Sequence, residues 1–184
     1  RDLLNIKTVA KRRSRPQWIQ LPKKIYYEKH AFSYLQDVHE NINRALIVTD
    51  PELSQQGLIE EVSAQLTLRD QPVKASIYDQ VTTDTTISQA LALAQEIGSF
   101  KPDTIIAIGG GSVINAAKLS RFIYEYSLDQ KAGFLKDYQQ ARELFISLEQ
   151  RLMDISERVV KFNHRLTSQL IAIPTTSGTG AEVT

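Results

Sequence analysis

The stretch from Pro102 to Ser112, Pro-Asp-Thr-Ile-Ile-Ala-Ile-Gly-Gly-Gly-Ser, constrains this chain more than any other. It reads as a short apolar strand, three glycines and a serine. Val113 to Tyr124 follow at once, with their apolar residues on one helical face. That order places a glycine loop at a helix N-terminus. The N–H groups of the first turn and the positive end of the helix dipole meet there, so the position suits a phosphate. Glycine matters because a side chain would hold the backbone away from such a group. The same residues would also serve as a plain strand-to-helix turn, so the neighbouring segments have to decide.

Those segments alternate. Leu21 to Glu28 has Ile25 and Tyr27 on one side and is predicted to be a strand. Ala45 to Asp50 is a buried strand ending in an acid. Pro51 and Glu52 then open a helix, as proline and acids do in a first turn, with Ile59, Val62 and Leu66 on its buried face. Val73 to Tyr78 is the next strand, and Ile87, Ala90, Leu91, Ala94 and Ile97 form a helical stripe after it. Thr104 to Ile108 and Leu170 to Ile173 are two further strands. Strands separated by helices need crossover connections, hence a parallel sheet, and continuous apolar strands suit burial on both faces. The fold class is therefore α/β, a Rossmann-like parallel sheet with flanking helices over residues 21–184. Residues 1–20 read as a linker, basic from Lys7 to Arg15 and then carrying Pro16 and Trp18. From Phe134 the apolar residues Tyr138, Ala141, Phe145, Leu148, Leu152, Ile155 and Val159 recur at steps of four and three. That seam predicts one long helix, an excursion between the last two strands rather than an intermolecular coiled coil.

Composition narrows the function classes. The chain has 184 residues, 42% hydrophobic and 23% charged, with net charge +1. That is one globular domain without the global field that would favour nucleic acid or a membrane surface. The Lys7–Arg15 cluster reads as a solvated linker. No cysteine is present, which excludes disulfides and thiolate metal sites and fits a reducing compartment such as the cytoplasm. No apolar run reaches the roughly 20 residues needed to span a bilayer. The chain opens on Arg1 and stops at Thr184 inside a functional-looking loop, so a fragment of a longer protein is expected.

Three loops leave the carboxyl ends of the expected strands, the edge at which open α/β sheets bind ligands. The first carries Asp50. A carboxylate there can accept from a ribose 2′-hydroxyl and would repel a 2′-phosphate, or it can cap the helix that starts at Pro51. The second is Gly109 to Ser112, in which Ser112 can both cap the helix and offer a hydroxyl. The third, Pro174 to Thr184, packs five hydroxyls and two glycines into one turn, suited to a polar ligand. Asp84, in a run of threonines, is equally a helix cap or a ligand contact. His30, His39 and His164 are scattered without metal-ligand spacing and read as surface or capping residues. Lys118 lies one turn into the helix after the glycines, but the Walker spacing is absent.

With these loops in place the chain resembles the iron-containing (group III) alcohol dehydrogenases. The matching pieces are Leu21–Glu28, Ala45–Asp50, Phe100–Ser112 and Ala172–Thr184, the last being the most specific. Leu3 to Arg13, Arg151 to Arg158 and Lys161-Phe162 are similar to the linker and helical excursion of the alcohol dehydrogenase half of bifunctional aldehyde-alcohol dehydrogenases. The resemblance implies the N-terminal domain of the dehydroquinate synthase-like fold, with its helical C-terminal domain missing. It implies that NAD is the cofactor and that the substrate is a small alcohol or aldehyde, with acetaldehyde and ethanol interconverted. Asp50 would face the adenosine ribose, Gly110, Gly111 and Ser112 the pyrophosphate, and Thr175, Thr176, Thr179 and Thr184 the adenine and nicotinamide side. Val113, Asn115 and Asp84 match further cofactor-contacting positions, which turns Asp84 toward binding. Catalysis would need divalent iron held by one Asp and three His that follow Thr184, leaving this piece inactive alone. A homo-oligomer or filament of the full-length protein is also implied.

The chain departs from the family's pattern in two places. Ser112-Val-Ile-Asn115 stands where the family has Ser-Pro-x-Asp, so a helix-starting proline and a carboxylate are both lost. A proline expected near Thr83 or Thr85 is also missing, which loosens that loop. A metal-dependent polyol dehydrogenase and a mainly structural role in filament assembly remain as alternatives.

Overall fold

Strands buried on both faces take the centre of the sheet. β1 (Arg44–Val48) and β3 (Thr104–Gly109) carry the longest stretches of β-branched and small apolar residues, and Ala45 to Val48 and all of β3 are buried. In the computed structural model, which describes residues 24–37, 41–83, 85–129, 143 and 165–182, they pair in parallel, Leu46 with Ile105 and Ile47 with Ile106. β2 (Lys74–Tyr78) lies outside β1 and β4 (Gln169–Pro174) outside β3, giving the all-parallel order β2-β1-β3-β4. Helices cover both faces, as the alternation of strands and helices requires.

Side chains leave a strand on alternate faces, so the sheet divides the core in two. Leu46, Val48, Ile105 and Ala107 pack with Ala90, Leu93, Ala94 and Ile97 of α3 (Ile87–Phe100) and with Val113, Ile114, Ala117 and Ile123 of α4 (Gly111–Asp129). Ala45, Ile47, Ile106 and Ile108 pack on the other side against Ile59, Val62 and Leu66 of α2 (Leu58–Thr67) and against Leu35 of a 3-10 turn at Ala31–Gln36. Each fully buried aliphatic side chain contributes roughly 1.5–3 kcal/mol. α3 starts on a capping box, in which Thr86 accepts from the Gln89 N–H and the Gln89 side chain accepts from Thr86 N–H at 3.0 Å.

Three expectations are corrected. Residues 24–28 form no strand: Tyr27 is 99% exposed and Ile25 62%, because no ladder neighbour lies beside them among the described residues. The helix opened by Pro51 is two, α1 (Pro51–Ser54) and α2, since Gly57 takes a left-handed φ of 81° between them. β2 is not buried on both faces; as a sheet edge it leaves Ile77 half exposed. The apolar seam from Phe134 to Val159 and the 1–20 linker lie outside the described residues. No helix among the described residues is long and apolar enough to cross a membrane.

The amino edge of the sheet is fastened by charge. Asp103 Oδ2 accepts from Asn43 N at 2.9 Å, Arg44 N at 3.1 Å and Asn43 Nδ2 at 3.1 Å, joining the approach to β3 to the start of β1. Arg44 donates through Nε to the Phe100 carbonyl at 2.9 Å, and its guanidinium lies 4.5 Å over the Phe100 ring, satisfying the end of α3. Asp103→Ala removes the acceptor of these three bonds and of a fourth, from the Thr104 hydroxyl to Oδ1 at 3.0 Å; the two from backbone N–H orient the strand. It is expected to lower stability by about 2 kcal/mol, read as a fall in the urea midpoint with unchanged slope.

Candidate functional site

At the carboxyl edge the chain leaves β1 toward β2 on one side and later crosses back to β3 on the other. The ends of β1 and β3 therefore flank the point at which the strand order reverses, where open α/β sheets form a crevice. Thr49, fully buried directly after β1, fastens this edge. Its N–H donates to Tyr78 O at 2.9 Å, its hydroxyl to Ile108 O at 2.9 Å, and its carbonyl accepts from Val81 N at 3.3 Å. The ends of three strands are thereby held through one threonine, a residue to which the sequence patterns drew no attention.

β3 turns into α4 across a single residue, Gly110. A Cβ on Gly109 would stand 2.6 Å from Val113 Cγ2 and 2.8 Å from Val113 Cβ, so only glycine allows the helix to rise there. Val113 itself is buried in the core beneath that turn; its backbone N–H, not its side chain, is what it can present to a ligand. The first helical bond runs from Ile114 N to Gly110 O at 3.2 Å. Gly110 thus holds the capping position, and the expected Ser112 cap is corrected. The helix begins two residues earlier than Val113, at Gly111, and the Ser112 hydroxyl instead donates to Thr83 O at 2.6 Å. Thr85 Oγ1 donates in turn to Ser112 O at 3.4 Å. The N–H groups of Gly111, Ser112 and Val113 have no carbonyl one turn back in α4, the local arrangement that receives an anion.

The hydroxyl-rich loop after β4 lies directly on the glycine loop. Thr175 N donates to Gly109 O at 3.0 Å, extending the β3–β4 ladder beyond Pro174. Cβ atoms on Gly110 and Gly111 would meet Thr176 Oγ1 at 3.3 Å and Thr179 Cβ at 3.1 Å. Gly178 and Gly180 turn the loop with φ of 91° and 65°. Ala181 is buried in the core, and Lys118 Nζ donates to its carbonyl. Lys118 sits two turns into α4 rather than one. Burial pushes its pKa down, against the opposing charge of Glu182.

Beside these loops opens a groove of about 370 Å³ lined by Thr83, Thr85, Ser112, Asn115 and Leu119. Of the expected site residues, Ser112 and Asn115 line it, Gly110, Gly111, Thr176 and Thr179 adjoin one another, and Thr175 continues the ladder. Asp50 follows β1 and caps α1, its Oδ1 accepting from Leu53 N at 2.8 Å. Asp84, Thr184, His39 and His164 lie outside the described residues. His30 is exposed, in a left-handed conformation of φ 61° beside the Phe32 ring. Thr83, Thr85 and Lys118 are additions. The signal for the threonines was their place just after β2 on the same edge; for Lys118 it was its spacing of seven from Gly111, two turns along one helical face.

The bare backbone of Gly110 and Gly111 and the first-turn N–H groups fit a phosphate-bearing cofactor. A metal ion is not matched in the same way, since among the described residues no group of three or more His, Asp or Glu is placed to hold one.

A family model described as iron-containing alcohol dehydrogenase matches residues 22–184. An aldehyde-alcohol dehydrogenase of Streptococcus pneumoniae is 40% identical over 184 residues, covering 100% of this chain and 19% of that protein. The bifunctional aldehyde-alcohol dehydrogenase AdhE of Escherichia coli is 36% identical over 187 residues, again 100% of this chain and 19% of its own. The chain thus spans about a fifth of the length of these relatives. Among solved structures, the iron-containing alcohol dehydrogenase of Thermococcus thioreducens superposes with a TM-score of 0.65 at 22% identity, over 90% of this chain and 39% of that one. Sulfoacetaldehyde reductase of Bifidobacterium kashiwanohense, in complex with NAD+, gives 0.64 at 20% identity, over 92% and 39%.

The glycine turn makes one substitution diagnostic. Gly109→Ala forces a methyl group against Val113 and is expected to cost about 2–3 kcal/mol, measured by chemical unfolding. Gly109→Ala combined with Val113→Ala is expected to recover part of that loss.

Proposed function

This chain belongs to the iron-containing alcohol dehydrogenase family, and from that premise we propose that its carboxyl sheet edge binds NAD(H) for hydride exchange between a small alcohol and its aldehyde. One observation carries the reading: the Gly109–Ser112 turn opens α4 at the switch point and is backed by the Thr175–Gly180 loop. The pyrophosphate would lie on the N–H groups of Gly111 and Ser112, with Gly110 keeping the approach clear. Asp50, standing after β1 as α1's cap, would accept from the adenosine ribose through the oxygen that Leu53 does not use. Thr175, Thr176 and Thr179 would border the rest of the cofactor, Asn115 the groove beside it, and Asp84 and Thr184 would join them. Ser112 acts on the loop after β2: its hydroxyl holds Thr83, which forms part of the groove wall. When bound, NAD supplies the hydride acceptor and its reduced form the donor.

The full-length reaction proposed is the interconversion of acetaldehyde and ethanol, a reading supported by relatives named for both aldehyde and alcohol dehydrogenase that match the whole chain at 36–40% identity. We place the iron ligands outside this chain, so iron has no part in the binding roles given to these residues. A polyol substrate is the weaker reading, since those whole-chain relatives carry no polyol name.

Calorimetric titration with NADH and NADPH tests the site, in the native chain and in Asp50→Ser. Serine keeps the α1 cap while removing the carboxylate that would repel a 2′-phosphate. NADH is expected to bind at least about tenfold more tightly than NADPH, a difference of about 1.4 kcal/mol, and the preference should vanish in the variant. Absence of NADH binding by the full-length protein, or a preference untouched by Asp50→Ser, overturns the assignment.

A further inference from the structure

The loop that backs the glycine turn is secured unevenly. At its start Thr175 N joins the β3–β4 ladder through Gly109 O. Its middle contains Gly178 and Gly180, both in the left-handed region and with open space where a side chain would be. Thr179 Oγ1 accepts from Ala181 N at 3.4 Å, a weak bond at that length. At its far end the chain returns to α4, where Lys118 Nζ donates to the carbonyl of Ala181. Ala181 is 3% exposed and packed among the α3 and α4 side chains, so that carbonyl is a defined target. Next to it stands Glu182, whose Oε2 is buried and accepts no hydrogen bond among the described residues. The charge of Glu182 favours the Lys118 ammonium, against the burial that lowers its pKa. A charge-assisted bond to a buried carbonyl is roughly twice as strong as a neutral one.

Lys118 sits two turns along α4 from Gly111, the residue against which Thr179 packs. Helix, glycine turn and hydroxyl loop therefore form a closed circuit: Gly111 to Lys118 along α4, Lys118 to Ala181, and Thr179 back to Gly111. Breaking the Lys118 link removes the side-chain bond that ties the far end of the loop to α4.

We propose that Lys118 is a positioning residue for the cofactor site: by holding Ala181 it seats Thr176 and Thr179 against Gly110 and Gly111 and so sets the affinity for NAD(H). The effect on affinity rests on the cofactor reading above; the effect on the loop does not. Two measurements on the full-length protein keep them apart. Amide hydrogen exchange over residues 175–182 reads the loop directly. Lys118→Met, which keeps the length of the side chain and removes the donor, should raise exchange there about tenfold while β1 and β3 stay protected. Lys118→Arg, which keeps a cationic donor, should restore most of the protection. NADH titration should then show binding about tenfold weaker in Lys118→Met and near native in Lys118→Arg, with the turnover of cofactor-saturated enzyme changed much less. Should Lys118→Met fail to fold, Glu182→Gln, at a partly exposed position, is expected to raise exchange over 175–182 severalfold. Unchanged exchange in Lys118→Met, or in Glu182→Gln where that is the variant used, overturns the inference. So does faster exchange accompanied by native NADH affinity. Faster exchange in a protein whose native form binds no NADH overturns the cofactor reading and leaves the tie itself established.

Discussion

The contact between Gly109 and Val113 is the constraint on which the rest of this edge depends. Because the last residue of β3 has no side chain, the helix can start within one residue of the strand and bury Val113 beneath the turn. Any larger residue would push α4 outward, lifting its first-turn N–H groups away from the place where β1 and β3 diverge. The following two glycines serve a different neighbour. Their missing side chains let Thr176 and Thr179 close against the backbone. One glycine run thus meets two packing demands, toward the core and toward the opposite loop, and leaves a bare backbone surface between them.

α4 is also the element that joins the two edges of the sheet. Near its start, Ser112 and Lys118 reach the loops of the carboxyl edge. Further along, Glu125, 1% exposed, accepts from Thr167 N at 2.8 Å and Thr167 Oγ1 at 2.7 Å, while Arg121 donates to Ser168 O just before β4 begins. Burial disfavours the Arg121 cation and the nearby Glu125 charge opposes that effect, as a buried pair must if it is to persist. β4 packs Leu170 and Ala172 on one face of the core and Ile171 and Ile173 on the other, and α4 fixes its approach through Thr167 and Ser168.

The four strands, their parallel arrangement and the phosphate-suited turn were legible because each rests on a local pattern: short β-branched runs, helical stripes, three successive glycines. What was not legible required knowing neighbours. Leu21 to Glu28 has strand periodicity, yet residues 24–28 have no ladder partner among the described residues. Gly57 splits a helix that the apolar spacing of Ile59, Val62 and Leu66 made continuous, because left-handed backbone does not show in a hydrophobic pattern. Ser112 follows three glycines as a cap would, but its hydroxyl finds Thr83, a residue distant in sequence that only the sheet order brings near. Asp50 could be read either way from its place before Pro51, and the structure shows it capping α1.

The three bonds of buried Thr49 have a thermodynamic consequence. Loops beside a binding crevice are usually mobile, and a ligand that orders them gives up part of its interaction energy as lost conformational entropy. Here the ends of β1 and β3 and the approach to the loop after β2 are joined before any ligand arrives. The mouth of the crevice is preorganised by one buried residue, through its backbone and its hydroxyl together, and the ordering that accompanies binding is confined to the rim rather than shared by the strands beneath it.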